Sequence, residues 1–422
     1  MTKKKIGIIV QRYGAQVNGG AEVHARMIAE KLVVKYDVTV LTSRALDYHT
    51  WKPELPAGMS TENGIKVLRF NHTAKPNAKE IHHINRMYRG RLWFQKLYRF
   101  FGKPGWYLKL FPLAEVKERE GERWLEYQGP TMYELIPYLK NNADNYAAFI
   151  FFTYLYYPTA VGIQVVGHKS LFIPTMHDEP PAYFPIFRKV MAAPQRILFN
   201  TESEKRFSEK LFSIDHVSSD VVAVGIDPVD EQIDTSVPVK FGIKGKYILY
   251  VGRIDTAKGC KELLQFFTQF ASNNPGKLTL VLAGKNMIDP VKNPAVIYAG
   301  FVSDEDKEQL IKQAEAVVIP SKYESLSLVL LESFACRIPV VVNADCEVLA
   351  DHIHASNGGW GYKDYNTFGS ILNELLNGKE KTEKGKAGYD YVMKNYSWEE
   401  VLEKFDQAIE YVEQKNAPGD IK

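Results

Sequence analysis

Glu324 and Glu332, eight residues apart in the stretch VIPSKYESLSLVLLESFACRIPVVV from Val318 to Val342, are acids whose placement could do chemistry. If the helical period held from one to the other, they would fall close to one face. Between them stand Ser325, Leu326 and Ser327. Their amides, at the start of a helix, have no internal acceptor and attract an anion. A second loop, in GRIDTAKGCKELLQFF from Gly252, carries Arg253 and Lys258 between a strand and a helix. Two cations there suit a diphosphate, and above all the charge that develops on a departing one. Hydroxyl-seeking carboxylates around a phosphate-seeking helix end suit a ligand with a sugar, a diphosphate and a ribose in series. On spacing alone, each of these residues is equally a solvated charge on a loop or a helix surface.

These residues need elements to hold them. Val318–Val342 starts as an apolar strand, passes a polar turn, enters a helix at about Ser327 and returns to a strand after Ile338-Pro339. That is one crossover of a parallel sheet, with its turn at the carboxyl edge where such sheets bind ligands. Upstream, the strand Tyr247–Val251 leaves through Gly252, which permits a tight exit, into a helix with Leu263, Leu264, Phe267 and Phe270 on its buried side. The strand Leu278–Ala283 ends in Gly284-Lys285-Asn286, and Val296–Ala299 ends in Gly300-Phe301-Val302. Backbone after the latter would read a base edge, with Phe301 or Val302 near its face, and Ser303 would cap the helix DEDKEQLIKQ.

The first half repeats the alternation. The strand Ile6–Val10 leads through QRYGAQVNGGAE to a helix with Ala21, Ala25, Ile28, Ala29 and Leu32 on one side, then to the strand Val38–Leu41. Gly19 and Gly20 at the helix start either bring backbone close to a phosphate or sugar or simply turn the chain. No GxGxxG is present, which removes most support for a nicotinamide enzyme. Strands follow at Ile65–Phe70, Phe149–Thr153, Leu171–Thr175, Ile197–Asn200 and Val221–Val224, and Thr201, Glu202 and Ser203 open a helix. His177, in PTMHDEP, stands directly after a strand end. It is either structural, held by a neighbour such as Asp178, or functional. The pattern predicts an α/β protein of two Rossmann-like doubly wound domains.

The segment around Glu324 and Glu332 resembles the signature of the retaining nucleotide-sugar glycosyltransferases of family 4, in which two glutamates separated by seven residues begin a helix of the carboxyl-terminal domain. The resemblance implies that Glu324 holds hydroxyls of the donor sugar and Glu332 the ribose. It also implies that Arg253 and Lys258 hold the leaving diphosphate, that the Gly19-Gly20 loop faces the donor, and that His177 contacts the donor sugar near the reacting centre. The family usually has glycines beside the first acid, where this chain has Ser325 and Ser327. Serine resists positive φ, which predicts a slightly different loop path or a use for the hydroxyls. The resemblance implies the glycosyltransferase B architecture: two domains facing across a cleft, residues 1–235 on the acceptor side, residues 240–395 binding the nucleotide sugar, and a helix in 396–422 crossing back. Asp227–Lys240 is the linker, and Ser397-Trp398-Glu399-Glu400 reads as a capping box. The implied reaction moves a sugar from a nucleoside diphosphate sugar to an acceptor hydroxyl with retention, the departing phosphate taking the acceptor's proton on the same face. Fixed cations replace what a divalent metal would do, so neither metal nor cofactor is expected.

At 422 residues the chain exceeds what one core normally serves. Its net charge of +3 does not by itself suggest nucleic acid. Cys260, Cys336 and Cys346 form no close pair, which fits a reducing cytoplasm rather than a disulfide framework. The apolar run after the basic start is too short for a signal peptide, and no run reaches the length of a membrane span. Residues 72–128 carry Lys79, Arg86, Arg89, Arg91, Lys96, Arg99, Lys103 and Lys109 among Trp93, Phe94, Tyr98, Phe100, Phe101, Trp106, Tyr107 and Phe111. Either this insertion meets an anionic bilayer at the inner face of the membrane and serves a lipid-linked acceptor, or its aromatics pack inward under a solvated cationic face. The acceptor is expected to be a carbohydrate or lipid-linked, as in bacterial-type polysaccharide, lipopolysaccharide or glycolipid assembly. Two other readings stand beside this one: a non-catalytic sugar-nucleotide or glycolipid-binding peripheral membrane protein, and a sugar-nucleotide epimerase.

Overall fold

Short runs of Val, Ile, Leu and Phe become strands buried on both faces, because helices pack above and below a parallel sheet. A computed structural model describes residues 2–17, 19–73, 77–81, 84, 118–378 and 380–417. The basic and aromatic run from Arg86 to Phe111 lies outside the described residues, and the membrane reading with it. By its internal contacts the chain divides into Met1–Val224 with Leu402–Lys422, and Gly225–Val401.

Among its described residues the first unit holds eight strands: β1 (Lys5–Ile9), β2 (Asp37–Thr42), β3 (Gly58–Glu62), β4 (Ile65–Arg69), β5 (Ala148–Phe152), β6 (Ser170–Ile173), β7 (Arg196–Phe199) and β8 (Ser218–Val221). Their order is β3-β4-β2-β1-β5-β6-β7-β8. All pairs are parallel except the β3–β4 hairpin at the edge. β3 is absent from the sequence reading because GMSTE lacks an apolar face, its side chains being largely exposed. The strand expected at Val221–Val224 lies instead at Ser218–Val221. The order of strands reverses between β1 and β5, the point at whose carboxyl edge sheets of this kind bind ligands.

In the second unit, β9 (Tyr247–Val251), β10 (Thr279–Ala283), β11 (Val296–Gly300), β12 (Ala316–Ile319), β13 (Val340–Asn343) and β14 (Gly359–Tyr362) run β11-β10-β9-β12-β13-β14, all parallel. Here the reversal falls between β9 and β12. The loop SNGGWGY contributes the edge strand β14, its glycines needed because a Cβ on Gly359 would lie 2.1 Å from the Val340 carbonyl oxygen. Part of the expected linker is a short helix, Ser236–Lys240. The contact boundary lies earlier, at Gly225: the Ile226 amide donates to the Tyr396 carbonyl at 2.7 Å, and Gly225 sits on the Trp398 ring. Ser397 Oγ accepts from the Glu400 amide at 3.3 Å to start the last helix, Trp398–Lys415. From Leu402 onward that helix counts with the first unit, where Tyr36 Oη donates to Asp406 at 2.7 Å.

Candidate active site

Gly252 and Gly259 bracket the loop after β9, and both have left-handed φ, +141° and +78°. At Gly259 the backbone also leaves no room, since a Cβ would lie 2.2 Å from the Pro320 carbonyl oxygen at the exit of β12. The two neighbouring strand exits are thus pressed together across the reversal point. Between them, Lys258 Nζ donates to Glu324 Oε1 at 2.7 Å. The Lys258 amide donates to Asp255 Oδ1 at 2.7 Å, and the Arg253 guanidinium lies 3.5 Å from Asp255 Oδ2. Arg253, Lys258 and Glu324 therefore form one continuous group, with Asp255 as its link. Asp255 was not singled out from sequence. An Asp three residues before the Lys, in a loop that must turn, is the signal that could have found it.

Glu324 does not share a helical face with Glu332. The helix spans Leu328–Ala335, so Glu324 lies four residues ahead of its first residue and the helical period never reaches it. Glu332 is held separately: its Oε1 accepts from Lys307 Nζ at 2.8 Å, while Lys307 also reaches Asp304 at 3.2 Å. Burial opposes the Lys307 charge, but Glu332 and Asp304 outweigh it and raise its pKa. Glu332 Oε2 is buried with no hydrogen-bond partner among the described residues, a polar atom with acceptor capacity left. Lys307 was also missed, because in DEDKEQLIKQ nothing separates it from an ordinary helix-surface lysine.

Ser327 takes the left-handed conformation directly, φ +69°, so serine's resistance to positive φ does not divert the turn. Leu326 is buried, 5% exposed, so its side chain is core. Its carbonyl lies 3.1 Å from His352 Nε2. Burial pushes the His352 imidazole down to about 4, against the pull of that carbonyl. At β11, Gly300 has φ +71° and Phe301 is 72% exposed at the carboxyl edge with Val302 beside it. Ser303 Oγ accepts from the Asp306 amide at 3.1 Å, as a cap should.

The first unit holds His177, Gly19 and Gly20. His177 Nδ1 lies 3.5 Å from Glu179 Oε1, which accepts from Tyr154 Oη at 2.7 Å. Asp178, the neighbour expected from sequence, accepts from Tyr183 Oη. Just before His177, the Met176 amide donates to Glu204 Oε1 at 2.5 Å, and the Asn200 amide donates to Glu204 Oε2 at 2.7 Å. A buried carboxyl group thereby ties the exits of β6 and β7. Burial pushes the Glu204 carboxyl up to about 8 against the pull of those two donors. The pattern T-x-x-E at Thr201–Glu204 could have revealed it, and Thr201 does cap the helix through the Glu204 amide.

Gly19 and Gly20 serve different ends. Gly19 has φ −80°, so it makes no special turn; a Cβ there would lie 2.0 Å from Glu22 Oε2. The space belongs to a buried ion pair, Arg12 Nη2 to Glu22 Oε1 at 2.6 Å. Gly20 has nothing within 4 Å of its would-be Cβ and leaves open space at the helix start.

The family model for Glycosyl transferases group 1 matches residues 235–390. An uncharacterized glycosyltransferase of Methanocaldococcus jannaschii is 30% identical over 177 residues, 37% of this chain and 45% of that protein. A D-inositol 3-phosphate glycosyltransferase of Jonesia denitrificans is 26% identical over 250 residues, 52% of this chain and 58% of that protein. The chain thus aligns with about half the length of these curated relatives. Among solved structures, a sucrose-phosphate synthase from Thermosynechococcus elongatus superposes with TM-score 0.67 at 15% identity, covering 97% of this chain and 98% of that one. WaaG, a glycosyltransferase involved in lipopolysaccharide biosynthesis, superposes with TM-score 0.59 at 14% identity, covering 95% and 99%. At such identities the likeness carries the fold, the glycosyltransferase B architecture, and not the substrate.

Proposed function

The chain carries a glycosyl transferases group 1 domain over residues 235–390, and from that premise we propose that it transfers a sugar from a nucleoside diphosphate sugar to an acceptor hydroxyl with retention of configuration. The observation that carries this reading is the 2.7 Å contact between Lys258 and Glu324 at the strand-order reversal, with Arg253 joined to it through Asp255. A leaving diphosphate gains charge as the sugar departs, and fixed cations stabilise it most where they need not reorganise. Lys258 and Arg253 supply that charge, so the reaction proceeds without a divalent ion. Glu324, its Oε1 engaged by Lys258, keeps lone pairs for hydroxyls of the donor sugar. Glu332, whose side chain stays partly exposed beside Lys307, takes the ribose. Phe301 lies at the base, and His177 contacts the donor sugar. The departing phosphate accepts the acceptor's proton on the face it leaves. The acceptor is a carbohydrate or a lipid-linked sugar of the cell envelope.

The test is nucleotide release over a panel of donors with and without candidate acceptors, with product anomers assigned by NMR. Lys258→Ala should lower kcat about a hundredfold to a thousandfold, and a chelator should leave the rate unchanged. Turnover indifferent to Lys258→Ala and Glu324→Ala would overturn the assignment. Donor conversion without an acceptor would identify an epimerase, and binding without turnover a non-catalytic protein.

A further inference from the structure

We propose that His352 is a positioning residue for the turn Glu324–Ser327, holding the Leu326 carbonyl so that the Ser327 amide points in the opposite direction. This rests on the reading of that turn as the nucleotide-sugar site. A carbonyl only accepts hydrogen bonds, so the His352 Nε2 at 3.1 Å from Leu326 O carries the proton. In the neutral ring Nδ1 then accepts, and the group 3.2 Å from it is the Tyr391 hydroxyl. Tyr391 is thereby the donor, which leaves its oxygen to accept from Tyr396 Oη at 3.3 Å. His352 is 3% exposed and Tyr396 8%, with Tyr391 between them partly buried, so the imidazole itself is shielded from water. In a trans peptide the C=O and the following N–H point opposite ways. Fixing Leu326 O inward therefore turns the Ser327 N–H outward, next to the first-turn amides of Leu328–Ala335.

Two further contacts stiffen this arrangement. The helix Glu347–Ser356, which carries His352, begins at Cys346, whose sulfur meets the Glu324 backbone; burial raises that thiol to about 11. One helix thus grips the turn at both ends. Tyr391 belongs to the helix Lys381–Asn395, which approaches Leu328–Ala335 so closely that a Cβ on Gly388 would lie 2.4 Å from the Phe334 ring. Its hydroxyl has little freedom to follow a displaced imidazole.

The test measures binding of free UDP, GDP and ADP by calorimetry, well below the unfolding temperature, and continues with whichever the wild type binds most tightly. His352→Phe, which removes the donor, should bind it roughly tenfold more weakly, the value of about one hydrogen bond. His352→Gln, whose amide still donates, should recover most of that loss. Leu372→Ala, a fully buried position in the separate helix Tyr365–Asn377, should lower Tm while leaving nucleotide affinity within about twofold, as a packing change outside the helix that holds the turn. Unchanged affinity in His352→Phe, or equal losses in His352→Phe and Leu372→Ala, would overturn the positioning role while leaving the site intact. A wild type that binds none of the three nucleotides would overturn the site reading and this inference together.

Discussion

At the scale of single residues, the Lys258–Glu324 pair makes the sharpest prediction. Its partners are 34% and 16% exposed, so part of their attraction is screened, yet removing either leaves the other half-buried charge alone. A double-mutant cycle of Lys258→Ala and Glu324→Ala on kcat/KM should show coupling of about 1–3 kcal/mol, so that the second substitution costs much less than the first. Independent losses would mean that the pair does not act as a unit. Ser327 predicts something different. Its φ of +69° suits glycine, so Ser327→Gly should leave Tm unchanged or slightly raised, whereas Ser327→Val should destabilise by about 1–2 kcal/mol. Urea denaturation followed by circular dichroism distinguishes the two. Residue types and spacing were enough to nominate Lys258, Glu324 and Arg253, because loop charges at strand exits stand out in sequence. Lys307, Asp255 and His352 did not stand out, because their significance lies in what they touch.

At the scale of elements, the site depends on how strand exits approach one another. Gly259→Ala puts a Cβ on the Pro320 carbonyl oxygen and forces a left-handed φ on alanine. It should destabilise the second unit by about 2 kcal/mol or more and shift Lys258 away from Glu324. Lowered Tm together with weakened nucleotide affinity is the expected outcome, whereas a change confined to Tm would show that the two exits need not be so tightly apposed. In the first unit, Glu204→Ala would strip two buried amides, those of Met176 and Asn200, of their acceptor. A loss of about 2–4 kcal/mol follows from two unsatisfied donors. Strand and helix types were readable from period and capping, as at Thr201 and Ser303. The end of Leu328–Ala335 nearest Glu324 was harder to read, since a serine in left-handed backbone has no signature in sequence.

At the scale of the whole molecule, burial of ionisable groups sets the response to pH. His24 in the first unit and His352 in the second are both held down to about 4 from the ordinary 6.5, chiefly by desolvation. The unfolded chain takes up these protons first, so the stability they contribute is present above pH 6.5 and is lost as pH falls toward 4, by about 3 kcal/mol for each. Glu204 acts in the opposite sense: raised to about 8, it contributes stability that is full below 4.5 and lost as pH rises through 8. The second unit's urea midpoint should fall between pH 7 and pH 4.5, and that fall should shrink in His352→Gln, whereas in the first unit the gain at Glu204 offsets the loss at His24. An equal fall in wild type and variant would show that the imidazole does not titrate as its burial requires. By itself, the sequence determined that two doubly wound sheets form and which loops carry the charges, because strand and helix periods and turn residues are local properties of the chain. Tertiary structure decided which charge meets which: Lys258 with Glu324, Lys307 with Glu332, His352 with Leu326. Those pairings join residues 66, 25 and 26 positions apart, and only the order of strands in the sheet and the close approach of their exits bring them within reach.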